Sequence, residues 1–306
     1  MKLEGAALIG IGYWGKVHLK YLQKIKKISI NKIYFHKNKK ILNDKSIKLF
    51  NLTSKLQDIL NDKSISFVDI VTPIDTHADL AIKFLKTGKK VLVEKPLIFK
   101  KKEEKILKKY KNNLIVSYPY LFSKSLNFAK KIITSKSLGK LKFIEINIQQ
   151  CGRFMKYGVN HLLGPHALSI LSVFFDVRDL KIIKYEIIKK KNIETSIINV
   201  FKKQQLVSSI NLSLNYASEK NIKIIKIFCG KGTIVCDLND KDHTIKSSKY
   251  IVKAKKNFKV GKIIKHKFSF FDEKNNMKEV IKNFISKKNS NNFVLTQKIN
   301  KFLNNG

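Results

Sequence analysis

A short apolar run that ends in three closely spaced glycines constrains the fold of this chain more than any other feature. Residues 6–10 have the composition of a strand, the glycines are Gly10, Gly12 and Gly15, and an amphipathic stretch extends from Trp14 to about Ile25. Residues without side chains are needed where a strand turns sharply into a helix, because the backbone there passes close to its neighbours. The sequence therefore predicts a β-strand, a glycine-rich turn and an α-helix, in that order.

The same alternation of strand and helix patterns continues through the first third of the chain. Thr76 predicts a helix start, because its hydroxyl can cap the helix and Asp79 follows three residues later. Further strands are predicted at 28–35, 67–71, 90–93 and 114–117, and helices at 56–60 and 76–85. Such alternation predicts a doubly wound α/β domain with a mostly parallel sheet covered on both faces.

Strand patterns dominate after residue 118, where the pattern changes. One apolar helix is predicted from His166 to about Phe175, a hairpin turn at 229–232, and closing helices at 277–285 and 294–302. Strands are predicted at 143–148, 181–188, 193–201, 206–214, 222–228 and 233–238. We therefore expect two domains, 1–118 and 119–306, the second an α+β domain with a large, mostly antiparallel open sheet.

The charge balance is strongly basic, with 63 Lys and Arg residues against 22 Asp and Glu residues and a net charge of +41. Only Arg153 and Arg178 are arginines, and lysine recurs along the whole chain without an aromatic-basic repeat. Specific nucleic-acid recognition usually exploits the planar guanidinium of arginine. We therefore expect weak, salt-sensitive binding to polyanions and no specific nucleic-acid partner.

The cysteines and histidines do not have the spacing of a metal site. Cys151, Cys229 and Cys236 are too far apart for a zinc knuckle or a redox pair, and His161 and His166 are five residues apart. No apolar run approaches the roughly 20 residues that cross a bilayer, and the first residues lack the pattern of a signal peptide. We expect no metal, no membrane association and a cytoplasmic protein.

The glycine spacing is that of the turn that receives the pyrophosphate of a dinucleotide at a helix N-terminus. A carboxylate about 20 residues further on usually binds the ribose 2′-hydroxyl of NAD, but the second predicted strand ends in Phe35-His36-Lys37-Asn38. His36 or Lys37 would suit the 2′-phosphate of NADP, although lysine is common enough here to occur by chance. The sequence favours NADP over NAD and leaves both open.

Three segments, in this order and spacing, resemble the Gfo/Idh/MocA oxidoreductase family: residues 10–15, 72–81 and 93–97. The resemblance covers essentially the whole chain and is closest to members that act on sugars or nucleotide sugars. It implies a Rossmann domain and hydride transfer between a nicotinamide and a hydroxyl or ketone of a sugar, nucleotide sugar or cyclitol, in a cleft between two domains. It also implies a homodimer or homotetramer formed through the open face of the second sheet.

The resemblance assigns roles to individual residues. Lys95 would orient the reacting oxygen, Glu94 would contact the nicotinamide ribose, Pro96 would follow a cis peptide bond, and His166 would be the acid/base. His77 would shape the helix start and the cofactor pocket. The implied cofactor-binding residues are Gly10, Gly12, Tyr13, Trp14, Gly15, His36, Lys37, Thr72, Pro73, His77, Glu94, Lys95 and Pro96. The implied substrate-binding residues are Lys95, Tyr118, Arg153, His161 and His166.

One position departs from the family pattern. The family commonly has Asp four residues before the acid/base histidine, and this chain has Leu162 there. His161 or another group would then replace the carboxylate, or the substrate would not require it, or turnover would be reduced or lost. The alternative function is a non-catalytic, dinucleotide-binding sensor or regulator of the same fold.

Overall fold

The computed structural model describes residues 3–36, 43–151, 157–190, 193–239, 245–254, 257–266, 273–286 and 292–304. These residues divide into two compact units. Unit 1 comprises Met1–Tyr118 and Met277–Asn304, and unit 2 comprises Pro119–Asn276 with Asn305–Gly306. The sequence placed the last two helices in the second domain, whereas the structure groups them with unit 1.

Unit 1 is built on a six-stranded parallel sheet with the order β3-β2-β1-β4-β5-β6. This is the strand order of a dinucleotide-binding doubly wound fold, in which the direction of the strand order reverses between β1 and β4. The strands are β1 Glu4–Ile9, β2 Ile28–Tyr34, β3 Leu52–Thr53, β4 Ile65–Ile70, β5 Lys90–Glu94 and β6 Leu114–Ser117. The helices are α1 Tyr13–Leu22, α2 Gln57–Leu60, α3 His77–Lys86 and α4 Lys101–Lys109.

The central strands β1, β4 and β5 are almost continuously apolar and buried, as expected for a parallel sheet covered on both faces. The predicted doubly wound fold is therefore confirmed. The predicted cap at Thr76 is wrong, because the Thr76 hydroxyl donates to the Pro73 carbonyl at 2.7 Å and caps no backbone N–H of α3. A short 3-10 helix, Ile74–Thr76, leads into α3 instead.

The helices α7, Glu273–Ile285, and α8, Phe293–Asn304, complete unit 1. The Phe284 ring meets the Phe67 ring of β4 edge to face at 5.4 Å. Asn300 of α8 hydrogen-bonds both backbone groups of Phe99, at 3.0 and 3.1 Å. The predicted boundary at residue 118 therefore marks the end of the first segment of unit 1, and a second segment of the same unit follows after residue 276.

Unit 2 is built on a nine-stranded, mostly antiparallel sheet with the order β14-β13-β12-β11-β7-β10-β9-β8, and β15 pairs with β13. Among the described strands of this second sheet, only β7 and β10 are paired in parallel. The strands are β7 Leu141–Gln149, β8 Leu180–Lys190, β9 Ile193–Lys202, β10 Gln205–Ser213, β11 Ile222–Cys229, β12 Gly232–Asp237, β13 Ile245–Ala254, β14 Asn257–Val260 and β15 Ile264–His266. The helices are α5 Lys124–Thr134 and α6 Val159–Ser172. The predicted antiparallel sheet and the hairpin turn between β11 and β12 are confirmed.

Helix α6 begins seven residues before the predicted start at His166. Gly164 and Pro165, directly before the predicted start, lie inside the helix and are buried. The helix starts after Gly158, where the Glu194 carboxylate accepts the Val159 backbone N–H at 2.5 Å. A carboxylate from β9 thus satisfies a free N–H of the first turn, a partner that sequence spacing could not show.

Candidate functional site

The glycine turn after β1 has the shape that its spacing predicted. Gly10 has a φ of +99°, and a Cβ atom there would lie 2.6 Å from the Val71 carbonyl oxygen. A Cβ atom on Gly15 would collide with the Gly10 carbonyl oxygen, whereas one on Gly12 would meet nothing within 4 Å. Gly10 and Gly15 therefore allow the turn to close, and Gly12 leaves open space above the start of α1 for a ligand.

The carboxyl ends of the parallel strands bring the other predicted cofactor residues to the same edge of the sheet. Thr72 follows β4, and Glu94 ends β5, directly before Lys95. The Thr72 and Thr76 hydroxyls are 2.6 Å apart, so both are fixed at the start of α3. In open parallel sheets, ligands bind outside this edge and near the reversal of strand order, here between β1 and β4.

His77 joins two of these loops in the interior of unit 1. Its Nδ1 lies 2.9 Å from the Pro96 carbonyl oxygen, and its Nε2 lies 2.8 Å from the Thr72 carbonyl oxygen. Only 1% of the residue is exposed, and burial lowers its pKa. A buried histidine between two backbone carbonyls thus connects the loops after β4 and β5. The peptide bond between Lys95 and Pro96 is cis.

Below the glycine turn, His18 of α1 contacts two carboxylates inside unit 1. Its Nδ1 lies 2.8 Å from Asp69 Oδ2 on β4, and its Nε2 lies 3.1 Å from Glu94 Oε1 on β5. Burial opposes a charge on the ring, but the charge of Asp69 and hydrogen bonds to both carboxylates raise the pKa of His18 to about 10. Burial also opposes ionisation of Glu94, but its hydrogen bond with His18 and the charges of His18 and Lys95 lower its pKa to about 2. Two carboxylates thus face the two ring nitrogens of one buried histidine, directly beside a predicted cofactor contact.

The exposed aromatic pair Tyr13 and Trp14 opens α1. Their rings meet edge to face at 5.5 Å, and the two residues are 54% and 38% exposed. At the end of β2, His36 is exposed, and its Nδ1 lies 3.3 Å from the Tyr34 hydroxyl. Lys37 lies outside the described residues. No carboxylate stands at 34–36, the described end of this strand, so the feature that favoured NADP persists in the structure.

In unit 2, His166 lies on α6 beside Tyr120, whose ring it meets edge to face at 5.4 Å. The Lys223 ammonium group of β11 lies 5.5 Å from the centre of the same ring. Tyr120 therefore contacts both the predicted acid/base and a cation from the sheet. Only Tyr118 was predicted as a substrate contact in this part of the chain, and no sequence signal distinguished Tyr120.

The first turn of α6 carries the other predicted groups of unit 2. His161 is half-buried, and burial followed by the nearby charge of Lys184 lowers its pKa, against the opposing charges of Glu194 and Glu186. Asn160 Nδ2 donates to Glu186 Oε1 at 3.2 Å. Leu162 is half-buried. Two carboxylates from the sheet, those of Glu186 and Glu194, thus reach the start of the helix that carries Leu162.

Tyr118 and Arg153 are the remaining predicted substrate contacts. Tyr118 is 1% exposed, and its hydroxyl donates to Thr296 Oγ1 of α8 at 3.3 Å. Burial raises its pKa, so it remains a neutral core residue, and we remove it from the proposed substrate contacts. Arg153 lies outside the described residues.

Sequence reasoning assigned no role to His18 or Asp69. A signal was nevertheless present, because Asp69 is the only charged residue in the apolar strand Ile65–Ile70. A carboxylate at a buried strand position requires a partner. His18, three residues after Gly15 and one turn into α1, was a candidate for that partner.

Within the described parts of the chain, no three His, Cys, Asp or Glu side chains come together as a group that could hold a metal ion. None of the described helices is both long enough and apolar enough to cross a membrane.

Comparison with known proteins shows what the chain is similar to. Residues 5–118 match a family model described as an oxidoreductase family with an NAD-binding Rossmann fold. The comparison with curated proteins gives no match. Two solved structures of similar fold are GenD2 from gentamicin A biosynthesis in complex with NAD and KijD10, a 3-ketoreductase from Actinomadura kijaniata in complex with TDP-benzene and NADP.

GenD2 is 14% identical, with a TM-score of 0.78 over 98% of this chain and 93% of its own. KijD10 is 11% identical, with a TM-score of 0.77 over 98% of this chain and 95% of its own. At these identities the likeness shows a shared fold, which extends through both units.

Proposed function

We propose that this chain, whose residues 5–118 belong to the Gfo/Idh/MocA oxidoreductase family, transfers hydride between a nicotinamide dinucleotide and a hydroxyl or ketone of a sugar, nucleotide sugar or cyclitol. The family match and the strand order make unit 1 an NAD-binding Rossmann fold. The observation that carries the proposal is that the glycine turn, Thr72 and the pair Glu94-Lys95 stand at one edge of one parallel sheet.

The residues of unit 1 suit each part of such a cofactor. The amides at the start of α1 would bind the pyrophosphate over Gly12, where the backbone is unobstructed. The Glu94 carboxylate would accept hydrogen bonds from the nicotinamide ribose, and its low pKa keeps it ionised as an acceptor. When bound, the dinucleotide supplies or accepts the hydride. We propose NADP as the preferred form, because no carboxylate stands at the described end of β2.

The protein must move the hydroxyl proton and stabilise charge on the substrate oxygen. We assign the first task to His166, because an imidazole exchanges protons near neutral pH. We assign the second to Lys95, whose ammonium group would stabilise a developing alkoxide. GenD2 is described as a protein of gentamicin A biosynthesis in complex with NAD and KijD10 as a 3-ketoreductase in complex with TDP-benzene and NADP, so two structures of this fold are known with a bound nicotinamide dinucleotide.

A titration tests this function directly. The fluorescence of NADPH and NADH is followed as protein is added, and oxidised or reduced cofactor is then measured with a panel of nucleotide sugars and cyclitols. We expect cofactor binding, tighter for NADPH, and turnover with one sugar class. Lys95→Ala should abolish that turnover while the cofactor Kd changes by less than about fivefold, since the lost interaction belongs to the transition state. Unchanged turnover in this variant would refute the assignment of Lys95.

The second candidate function is a non-catalytic sensor that binds the same cofactor. Leu162 favours it, because the position lacks a carboxylate that the family commonly has before the acid/base histidine. This function predicts cofactor binding without turnover across the whole panel. If Leu162→Asp then produces turnover, the missing carboxylate is the cause.

A further inference from the structure

The contacts of His18 connect the three elements that carry the proposed cofactor site. His18 lies on α1, the helix that begins at the glycine turn, and its two ring nitrogens face Asp69 of β4 and Glu94 of β5. The side chains of His18 and Asp69 are fully buried, whereas that of Glu94 keeps 11% of its surface exposed. Of the three groups, Glu94 alone reaches the surface of unit 1, directly before Lys95.

We propose that His18 is a permanently charged positioning residue that holds the Glu94 carboxylate ionised and oriented toward the nicotinamide ribose. The inference rests on the proposed function, which makes Glu94 a cofactor contact. Both ring nitrogens can donate only when the ring is an imidazolium, and each of them has a carboxylate oxygen within hydrogen-bond distance. The alternative is a neutral ring with the proton on Asp69, and the histidine NMR measurement below distinguishes the two.

The charges around the cluster support an ionised Glu94. Lys95 adds a second positive charge, while His77 and Tyr118, the other titratable groups that interact with Glu94, are kept neutral by burial. Burial raises the pKa of Asp69, and its second oxygen has no hydrogen-bond partner among the described residues. Glu94 is therefore the one of the two carboxylates whose pKa is lowered, and His18 lies between them as their shared counterion.

Stability alone is a poor explanation for this arrangement. A buried ion pair costs so much desolvation that well-packed apolar residues usually serve stability as well or better. Without His18, burial would push the pKa of Glu94 upward. A buried carboxyl group without any counterion reaches a pKa of roughly 8, and this is the upper limit here because Lys95 remains beside Glu94. At that limit only about a tenth of Glu94 would be ionised at pH 7, so cofactor affinity would fall by as much as about tenfold.

The first measurement is made on the unaltered protein without cofactor. The ring nitrogen signals of ¹⁵N-labelled histidine are followed by NMR from pH 5 to 9. We expect one histidine to keep both ring nitrogens protonated at pH 8, where an ordinary histidine is neutral. His18→Gln should remove this signal, and Asp69→Asn should shift its titration to lower pH. Absence of such a signal in the unaltered protein would overturn the inference, whether or not the variants fold.

The second measurement is the Kd for NADPH between pH 6.5 and 9, for folded variants whose thermal melting has been checked. The unaltered protein should show a Kd that varies less than threefold. His18→Gln, which keeps a donor but loses the charge, should raise the Kd by as much as about tenfold at pH 7 and approach the unaltered value at pH 9. Adding Glu94→Gln to His18→Gln should remove this pH dependence, because the titrating group is gone.

The outcomes separate this inference from the proposed function. If the unaltered protein binds NADPH and His18→Gln has the same Kd and pH profile, His18 does not act on the cofactor site and only the inference fails. If the unaltered protein does not bind either reduced cofactor, the proposed function fails, and the cofactor role of His18 fails with it.

Discussion

Alanine substitutions at two neighbouring glycines should separate folding from cofactor binding. Gly10 and Gly12 are two residues apart in the same turn, but their surroundings differ. At Gly10, the φ of +99° disfavours any side chain, and the new Cβ would lie 2.6 Å from the Val71 carbonyl oxygen and 2.9 Å from Thr72 Cγ2. At Gly12, the φ of −70° suits alanine, and no atom would lie within 4 Å of the Cβ.

The magnitudes follow from these contacts. The wrong-handed backbone costs about 1 to 2 kcal/mol and forced overpacking about 1 to 3 kcal/mol, so Gly10→Ala should lower the free energy of unfolding by about 2 to 5 kcal/mol. For a unit of this size the melting temperature should fall by roughly 6 to 15 °C. Gly12→Ala should change the free energy of unfolding by less than about 1 kcal/mol, because a small entropic gain offsets a weaker helix cap.

Affinity for the cofactor should be weakened by Gly12→Ala, the variant that leaves folding stability almost unchanged. The methyl group of Gly12→Ala would occupy the space that the pyrophosphate is proposed to enter, so we expect at least about a tenfold rise in the Kd for NADPH, equivalent to about 1.4 kcal/mol. Thermal melting without cofactor and fluorescence titration with NADPH give the two quantities. The reasoning is refuted if Gly12→Ala melts as early as Gly10→Ala, or if it binds NADPH as tightly as the unaltered protein.

Two further predictions concern acid stability and assembly. Burial lowers the pKa of His77 below the ordinary value of 6.5, so the unfolded chain binds a proton at this residue more readily than the folded chain does. The free energy of unfolding therefore falls as the pH falls below 6.5. Urea unfolding at pH 7.5 and 5.5 should show that this decrease in the free energy of unfolding is about 1 kcal/mol smaller in His77→Gln. The second sheet exposes three large apolar side chains, each 40 to 56% accessible: Tyr185 and Ile187 on β8 and Leu206 on β10. We expect these side chains to be covered in a homodimer or homotetramer. Light scattering at micromolar concentration should give two or four times the mass of one chain, and a monomer would contradict this.

The sequence predicted the framework of unit 1 because its signals are local. Each strand of the parallel sheet is an apolar run bounded by polar residues, and the spacing of Gly10, Gly12 and Gly15 matches the turn that the structure contains. The strands before Thr72 and Glu94 were both predicted, and in a parallel sheet their carboxyl ends meet at the same edge. These inferences needed only periodicity and the rules of parallel sheets.

Contacts between distant segments were beyond that reasoning. Asp69 and Glu94 are 51 and 76 residues from His18, so no local pattern linked them. The start of α6 depended in the same way on Glu194, 35 residues after Val159. The family resemblance implied that Tyr118 contacts the substrate, but α8 covers it with Thr296, 178 residues later.

The return of α7 and α8 to unit 1 has a consequence for biosynthesis. During translation, the six parallel strands and the glycine turn leave the ribosome long before the helices that complete their packing. Asn300, which hydrogen-bonds the backbone of Phe99, is made 201 residues after it. The emerging Rossmann segment must wait, with part of its apolar surface uncovered, while all of unit 2 is synthesised. Unit 2 can fold first, and the nucleotide-binding unit becomes complete only when the final helices have been released.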